Sequence, residues 1–190
     1  DCGAFTSNQS ICLVTVDSTS TKNVIVWEKP VVTNIDSFRI YREFGLNNYV
    51  HIGSVAYPAL SEFTDTTNGV NPNAQSYRYK ISIVDTCDNE SALSSHHRTI
   101  HLSTPQFTPP NKFDLIWTND YEGFFISGYN ILRDGNNTGL WDSIAFVTFG
   151  NLSYTDLNAP SDSARYIIEA AHPTGCTAGK IKNYSSSLSN

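Results

Sequence analysis

Apolar and polar residues alternate along several short stretches of the chain. Between Tyr77 and Val84 every second residue is apolar, which is typical of an antiparallel strand with one buried and one solvated face. Similar alternation runs through Asn23 to Glu28 and through Ser37 to Glu43. Turn-forming pairs, among them Asn68-Gly69 and Asp134-Gly135, separate these runs. No stretch has a convincing helical period, so the pattern predicts an all-β chain.

The same apolar segments occur twice in one order, at an offset of roughly 90 residues, which is the size of one small β-sandwich. The matching pairs are Ile25–Trp27 with Leu115–Trp117, Phe38–Arg42 with Tyr129–Arg133, Phe63–Asp65 with Tyr154–Asp156, Arg78–Ile81 with Arg165–Ile168, and Cys87 with Cys176. The repeat predicts one domain at residues 10–102 and a second at residues 111–190, with the tail of a preceding module or a linker at residues 1–9. Residues 103–110 contain three prolines, which fix backbone φ angles. This segment is therefore predicted to be a stiff linker, and the pair a rod with limited bending.

The amino-acid composition argues against some classes of partner and indicates the cellular compartment. Of the 190 residues, 39% are hydrophobic and 16% are charged, which provides enough apolar surface for folding. A net charge of -6 argues against nucleic acid and anionic membrane as main partners, since both require a basic surface. No apolar run reaches the length of about 18 residues that direct membrane insertion needs. Four cysteines without a C-x-x-C pattern favour disulfides in an oxidising compartment over metal binding. We therefore expect a processed or excised segment of an extracellular protein.

Three motifs resemble those of fibronectin type III domains. They are a tryptophan followed by a proline in Trp27–Pro30, an aromatic-x-aliphatic strand at Phe38–Ile40, and a Tyr-x-Tyr-x-aliphatic strand at Tyr77–Ile81. The resemblance covers nearly the whole chain, twice, and implies two consecutive immunoglobulin-like β-sandwiches. The second repeat departs from the pattern, because Asn119–Phe125 follows its tryptophan where the first repeat has a proline.

Four further segments resemble the tandem type III regions of large secreted Bacteroidota proteins, which often precede a type IX secretion sorting domain. They are Ile11–Asp17, Ser76–Ser82, Asp85–Cys87 and Tyr184–Asn190. This resemblance implies O-glycans on the hydroxyl that follows aspartate in four pairs, at Ser18, Thr66, Ser143 and Ser163. The alternative is that these pairs are ordinary turn and strand-end sequences.

The resemblance also implies a disulfide. In a type III sandwich the start of the first strand and the loop after the sixth strand lie at the same pole, which implies a Cys12–Cys87 bond. A local Cys2–Cys12 bridge is the alternative. Cys176 has no counterpart of Cys12 in its own repeat, so it is either a buried free thiol or the partner of a residue outside the chain.

The sandwich fold assigns the large aromatic residues to the core, and the remaining sequence contains few candidate catalytic residues. Trp27 and Trp117 are the predicted central core residues, facing Tyr79 and Tyr166 of their own repeats. The chain has no G-x-S-x-G motif, no glycine-rich phosphate loop and no paired-carboxylate arrangement. We expect no enzyme activity, no catalytic residue, no cofactor and no metal.

Two interpretations of function remain. The favoured one is a non-catalytic extracellular spacer in a larger secreted or cell-surface bacterial protein, such as an adhesin or a filament, whose partners are its own neighbouring domains. The alternative is a module that binds a polysaccharide or another surface protein through Tyr121, Phe124 and Phe125, because exposed aromatic residues form contact sites. The competing structural interpretation is that some of these rings fill the ends of the sandwich.

Overall fold

The computed structural model describes residues 8–31, 34–118, 120–179 and 181–190, and in these residues the regular secondary structure is entirely β. The strands are β1 (Leu13–Val16), β2 (Asn23–Val26), β3 (Ile35–Glu43), β4 (Tyr49–Ala56), β5 (Glu62–Asp65), β6 (Arg78–Asp85), β7 (His97–Arg98), β8 (His101–Leu102), β9 (Gln106–Thr108), β10 (Lys112–Thr118), β11 (Gly128–Asp134), β12 (Asp142–Thr148), β13 (Ser153–Asp156), β14 (Arg165–Ala178) and β15 (Lys182–Leu188). The described part of the chain contains no helix with the length and apolarity that a membrane span requires.

The strands form two antiparallel sandwiches that follow each other along the chain. In the first, a sheet of order β1-β2-β5 packs against a sheet of order β4-β3-β6-β7. In the second, a sheet of order β13-β10-β8 packs against one of order β12-β11-β14-β15, and β9 also pairs with β10. The predicted fold of two consecutive all-β sandwiches is confirmed.

Each sandwich encloses an apolar core around one tryptophan. Trp27 follows β2 and is fully buried, with its ring centre 5.1 Å from that of Phe38. Trp117 lies in β10 and is 1% exposed, with its ring centre 5.4 Å from that of Tyr129. Because an aromatic side chain of this size buries about 150–250 Å², each tryptophan fills much of the space between its two sheets.

A buried aspartate in each sandwich accepts hydrogen bonds from an arginine and a tyrosine. Asp65 of β5 accepts one from Arg42 of β3 at 2.7 Å and one from the Tyr79 hydroxyl of β6 at 2.9 Å. The equivalent bonds in the second sandwich, at 2.8 and 2.9 Å, join Asp156 to Arg133 and Tyr166. Since the aspartate and its two donors lie in different sheets, each trio ties the two sheets of its sandwich together.

The trios perturb the acidity of their members. Burial, together with the neighbouring Asp65, raises the pKa of Tyr79 well above its usual value. Burial alone would raise the pKa of Asp156, but hydrogen bonds from the Asn158 N–H, from Arg133 and from Tyr166 outweigh it, and the pKa is lowered. The aspartate is thus held as a carboxylate, which is the form that accepts both hydrogen bonds.

Part of the segment predicted as a linker at residues 103–110 belongs to the second sandwich, since Gln106–Thr108 form β9. Both β8 and β9 pair with β10, and Ile100 and Leu102 belong to the second core. Phe107 packs against the same core, while Pro105 and the cis-bonded Pro109-Pro110 lie outside the strands. The first sandwich therefore continues into the second through paired strands, with only residues 99–100 between β7, which pairs with β6, and β8, which pairs with β10.

β1 and β2 are buried on both faces, unlike the half-buried strand predicted for Asn23 to Glu28. Ile25 faces the first core, but Leu13, Val24 and Val26 belong to a separate buried cluster on the opposite face. Such a face would be solvated in an isolated antiparallel sandwich. In this chain the second sandwich covers it.

Replacing Asp65 with alanine is expected to lower the free energy of unfolding by about 3–5 kcal/mol, because Arg42 loses its partner in a buried ion pair. Asp162→Ala, at an exposed position, is the matched control and should change it by less than about 0.5 kcal/mol. Urea unfolding followed by tryptophan fluorescence measures both variants. Equal losses in the two variants would contradict a structural role for Asp65.

Candidate functional site: the junction between the two sandwiches

The outer face of the first sandwich's three-stranded sheet packs against the hairpin formed by β14 and β15. We call this contact the junction. Its centre is a cluster of buried apolar side chains with three further residues packed against it: Leu13, Val24, Val26, Cys176 and Ala178, with Cys12, Phe124 and Tyr184 around them. The junction thus resembles a small hydrophobic core shared by both sandwiches.

Hydrogen bonds join the two edge strands β1 and β15 along the junction. The Ser187 hydroxyl donates to the Val14 carbonyl at 2.6 Å. The Leu188 N–H donates to Thr15 Oγ1 at 2.9 Å. Because these bonds use backbone groups that an edge strand leaves unpaired, they fix the position of one sandwich along the other.

Cys12 and Cys176 form a disulfide across the junction, with their Cα atoms 6.0 Å apart. The predicted Cys12–Cys87 bond is therefore wrong, as are the alternative Cys2–Cys12 bond and the interpretation of Cys176 as a free thiol. Cys12 packs against the junction cluster, so its sulfur faces the second sandwich and not the loop that follows β6. Cys87 is disulfide-bonded as well, and Cys2 lies outside the described residues.

An ion-pair network closes one side of the junction. Glu122, in the loop between β10 and β11, accepts two hydrogen bonds from Arg78 of the first sandwich, at 2.6 and 2.7 Å. His96 and Arg98 also lie 2.9 and 3.4 Å from its carboxylate. These donors, Arg78 above all, lower the pKa of Glu122 to about 2. A two-point arginine–carboxylate contact is directional, so it orients this loop against the first sandwich.

The aromatic loop predicted to bind a ligand is itself part of the junction. Tyr121 is 6% exposed, and its ring centre lies 4.7 Å from that of Phe124. Phe124 in turn lies 4.4 Å from the His172 ring. Phe125 is 86% exposed, while Asn119, at the start of the loop, lies outside the described residues. Tyr121 belongs to the core of the second sandwich, and Phe124 packs against both that core and the junction cluster, so two of the three predicted contact residues are held in packing contacts.

A cleft of about 550 Å³ opens beside the junction. Its walls come from the β1–β2 turn of the first sandwich and from β14 and the end of the chain in the second. Trp141 lines it with 37% of its surface exposed, and the Arg165 guanidinium lies 5.4 Å from the indole ring centre. Arg165 is ion-paired with Asp134. The side chains of Asn73 and Asn190 also line the cleft, where they are hydrogen-bonded to each other and to the backbone of Ser20 and Leu102, so the cleft combines an aromatic face with polar groups of little net charge.

Three side chains of the junction carry atoms that can ligate a transition metal. The sulfurs of Cys12 and Cys176 and a ring nitrogen of His172 lie within 4.8 Å of one another. Desolvation by partial burial lowers the pKa of His172, which favours the neutral imidazole. While the disulfide is intact neither sulfur is a thiolate, so the oxidised protein offers no thiolate ligand here.

The four hydroxyl side chains predicted to carry O-glycans are all exposed: Ser18, Thr66, Ser143 and Ser163. Ser18 lies in the β1–β2 turn and lines the cleft. The carboxylate of Asp65, next to Thr66, is fully buried. Glycosylation at these residues stays a prediction.

Sequence reasoning missed Arg78, Glu122 and His172. Nothing in the sequence pairs Arg78 with Glu122, which lie 44 positions apart in different sandwiches. His172 had a usable signal, because a histidine four positions before Cys176 has the H-x-x-x spacing common in zinc sites. The near-continuous apolar run from Val24 to Trp27 also indicates a strand buried on both faces.

Replacing Glu122 with glutamine is expected to flatten the pH dependence of stability in acid. A carboxylate with a folded pKa of about 2 contributes fully above its unfolded pKa of about 4.3, and that contribution is lost as the pH falls toward 2. Urea midpoints of the wild type should therefore fall more steeply than those of Glu122→Gln below about pH 4.5.

Arg78→Lys is the matched variant for this prediction. It keeps the positive charge but loses the two-point contact, so it should lower stability while retaining part of the acid dependence. Parallel pH profiles for the wild type and Glu122→Gln would contradict the role assigned to Glu122.

Comparison with solved structures finds tandem fibronectin type III segments. The central fibronectin-III array of RIM-binding protein aligns at 13% identity with a TM-score of 0.35, covering 87% of this chain and 63% of that chain. A two-domain segment of chicken tenascin aligns at 14% identity with a TM-score of 0.34, covering 96% and 97%. The FN1-FN3 domains of chicken CNTN1 align at 13% identity with a TM-score of 0.40, covering 99% and 63%. The chain thus spans less than two thirds of the first and third of these arrays.

No protein-family profile matches the chain, and no curated protein matches it.

Proposed function

We propose that the chain is a rigid, non-catalytic structural module of a larger extracellular protein, which holds the flanking parts of that protein at a fixed distance and angle. The observation that carries the proposal is the Cys12–Cys176 disulfide across the junction. The shared apolar cluster and the Arg78–Glu122 contact act at the same surface. The connection between the sandwiches, residues 99–100 between β7 and β8, is short and further limits hinge motion.

The position of the disulfide determines how such a module would respond to tension. The bonded cysteines are 164 positions apart, so a force applied at the chain ends passes through the sulfur bridge and bypasses nearly all of both sandwiches. If the disulfide were reduced, the segment between Cys12 and Cys176 could unfold and extend by about 550 Å, at about 3.3–3.6 Å per residue. A module that cannot lengthen by unfolding suits a spacer in a surface filament or an adhesin.

The disulfides support an extracellular location, because such bonds persist in oxidising compartments. No described cysteine is free. Together with the resemblance to secreted Bacteroidota proteins, this supports assignment to a secreted or cell-surface bacterial protein. The exposed hydroxyls of Ser18, Thr66, Ser143 and Ser163 are accessible to O-glycosylation in that setting.

Single-molecule pulling between the chain ends tests the mechanical role. The oxidised protein should lengthen only by the segments outside Cys12 and Cys176, which are about 25 residues or roughly 90 Å. Reduction should release about 550 Å more. Cys12→Ser/Cys176→Ser in reducing buffer should match the reduced wild type, whereas oxidised Cys87→Ser, which keeps the junction disulfide, should match the oxidised wild type. Equal lengthening before and after reduction would contradict the proposal.

A second candidate function is the binding of a neutral oligosaccharide in the cleft beside the junction. The exposed face of Trp141 and the amides of Asn73 and Asn190 line the same space, and a volume of about 550 Å³ falls in the range of about 300–1,000 Å³ typical of ligand sites. An indole face supplies apolar contact area and amides fix orientation. This candidate keeps the ligand class predicted from sequence but moves its site away from Tyr121 and Phe124.

Trp141→Ala is expected to weaken the binding of a neutral trisaccharide by about tenfold, equivalent to about 1.4 kcal/mol, while leaving the thermal midpoint unchanged. Leu140→Ala removes an exposed neighbour that does not line the cleft, and should bind normally. Isothermal titration with a panel of gluco- and manno-trisaccharides measures both. No binding by the wild type, or equal affinities in all three proteins, would exclude this function.

A further inference from the structure

The junction cysteines and His172 are spaced like three corners of a metal-binding tetrahedron. With Zn–S distances of about 2.3 Å and Zn–N distances of about 2.0–2.1 Å, a sulfur and a nitrogen ligand of tetrahedral zinc lie about 3.6 Å apart. Nε2 of His172 lies 3.7 Å from the Cys12 sulfur. Two thiolates on one zinc lie about 3.8 Å apart, which side-chain rotation can supply to cysteines whose Cα atoms are 6.0 Å apart.

An irregularity in β14 brings His172 and Cys176 to the same point. The pairing of β14 with β15 shifts register between Ala171 and Cys176, and Gly175 in this interval has a φ of +73°. Residues four apart on a regular strand are about 13 Å apart, yet the ligand atoms of His172 and Cys176 lie within 4.8 Å. Strand bulges re-aim side chains in this way. The local backbone therefore creates the ligand spacing, and Cys12 completes it from the other sandwich.

We propose that reduction of the Cys12–Cys176 disulfide converts these two cysteines and His172 into a zinc site. A dithiol supplies two electrons and two protons to the disulfide and is itself oxidised to a disulfide, which leaves two cysteine thiols. Zn²⁺ then binds two thiolates and a neutral imidazole with release of two protons. The fourth position of the tetrahedron is left for water. Thiolate and imidazole are the ligands that zinc prefers.

The surroundings of His172 already orient its ring. It packs edge-on against Phe124, with ring centres 4.4 Å apart, and its Nδ1 accepts a hydrogen bond of 3.3 Å from the Thr174 N–H. Ligation through Nε2 moves the ring proton to Nδ1 and gives up this single long hydrogen bond. In return the metal links Cys12 of the first sandwich to two residues of the second. The junction is thus cross-linked by a disulfide in the oxidised chain and by a metal in the reduced chain.

Cobalt(II) spectroscopy tests this site, because cobalt adopts the geometry of zinc and absorbs visible light. The chain is prepared as the wild type and as Cys2→Ser/Cys87→Ser, which leaves only the junction cysteines, and each is reduced anaerobically with a phosphine. We expect one cobalt per chain of the double variant, with thiolate charge-transfer bands and tetrahedral d–d bands that zinc abolishes. The oxidised proteins should give no such bands.

Two histidine variants, made in the Cys2→Ser/Cys87→Ser protein, separate the site from non-specific binding. His172→Ala should weaken cobalt affinity at least tenfold, whereas His51→Ala, at an exposed position of the first sandwich, should not change it. Tryptophan fluorescence reports whether the reduced protein stays folded or is refolded by zinc, and size-exclusion chromatography reports whether it stays monomeric. The proposal is overturned by the absence of thiolate bands, by equal affinity in His172→Ala, by metal bridging two chains, or by a reduced protein that zinc does not restore.

Discussion

The burial of the outer face of β1 and β2 beneath the β14–β15 hairpin is the contact on which the rest of the architecture depends. Fully burying an aliphatic side chain contributes about 1.5–3 kcal/mol, and Leu13, Val24 and Val26 are all buried there. The disulfide and the Glu122 ion-pair network add further links between two surfaces that this apolar contact holds together. The corresponding face of the second sandwich is different, because Ile116 is 56% exposed and Asp114 bonds to the exposed Thr155. Among its described residues, the second sandwich therefore presents no matching apolar face.

Stability within each sandwich and rigidity between them come from separate sets of residues. The trios centred on Asp65 and Asp156 tie the two sheets of their own sandwich together and do not touch the junction. The junction in turn uses an apolar cluster, an ion pair and a disulfide that no single sandwich could form. This separation explains why a change at Glu122 should alter how the sandwiches are held together while leaving each core intact.

The alternation of apolar and polar residues predicts the strands within one sandwich well, but it does not predict the contacts between the two sandwiches. Alternating residues identified the strand before Trp27, because a side chain's face within a strand depends on its neighbours in sequence, and the internal repeat extended this to the strand that contains Trp117. The Cys12–Cys87 pairing failed because it assumed that each repeat closes its own bonds. The real partner is Cys176, which lies 164 positions from Cys12 and reaches it only because the second sandwich docks on the first. The packing of Phe124 against the junction cluster was unpredictable for the same reason, since Leu13, Val24 and Val26 of that cluster belong to the other repeat.

The central claim is that the two sandwiches form one rigid body, and residual dipolar couplings of backbone N–H groups test it most directly. In a weakly aligned solution of the oxidised protein, the couplings of both sandwiches should fit one alignment tensor when the two sandwiches are docked through the junction contacts. Two tensors of different magnitude or orientation would mean that the sandwiches move independently, and would contradict the account.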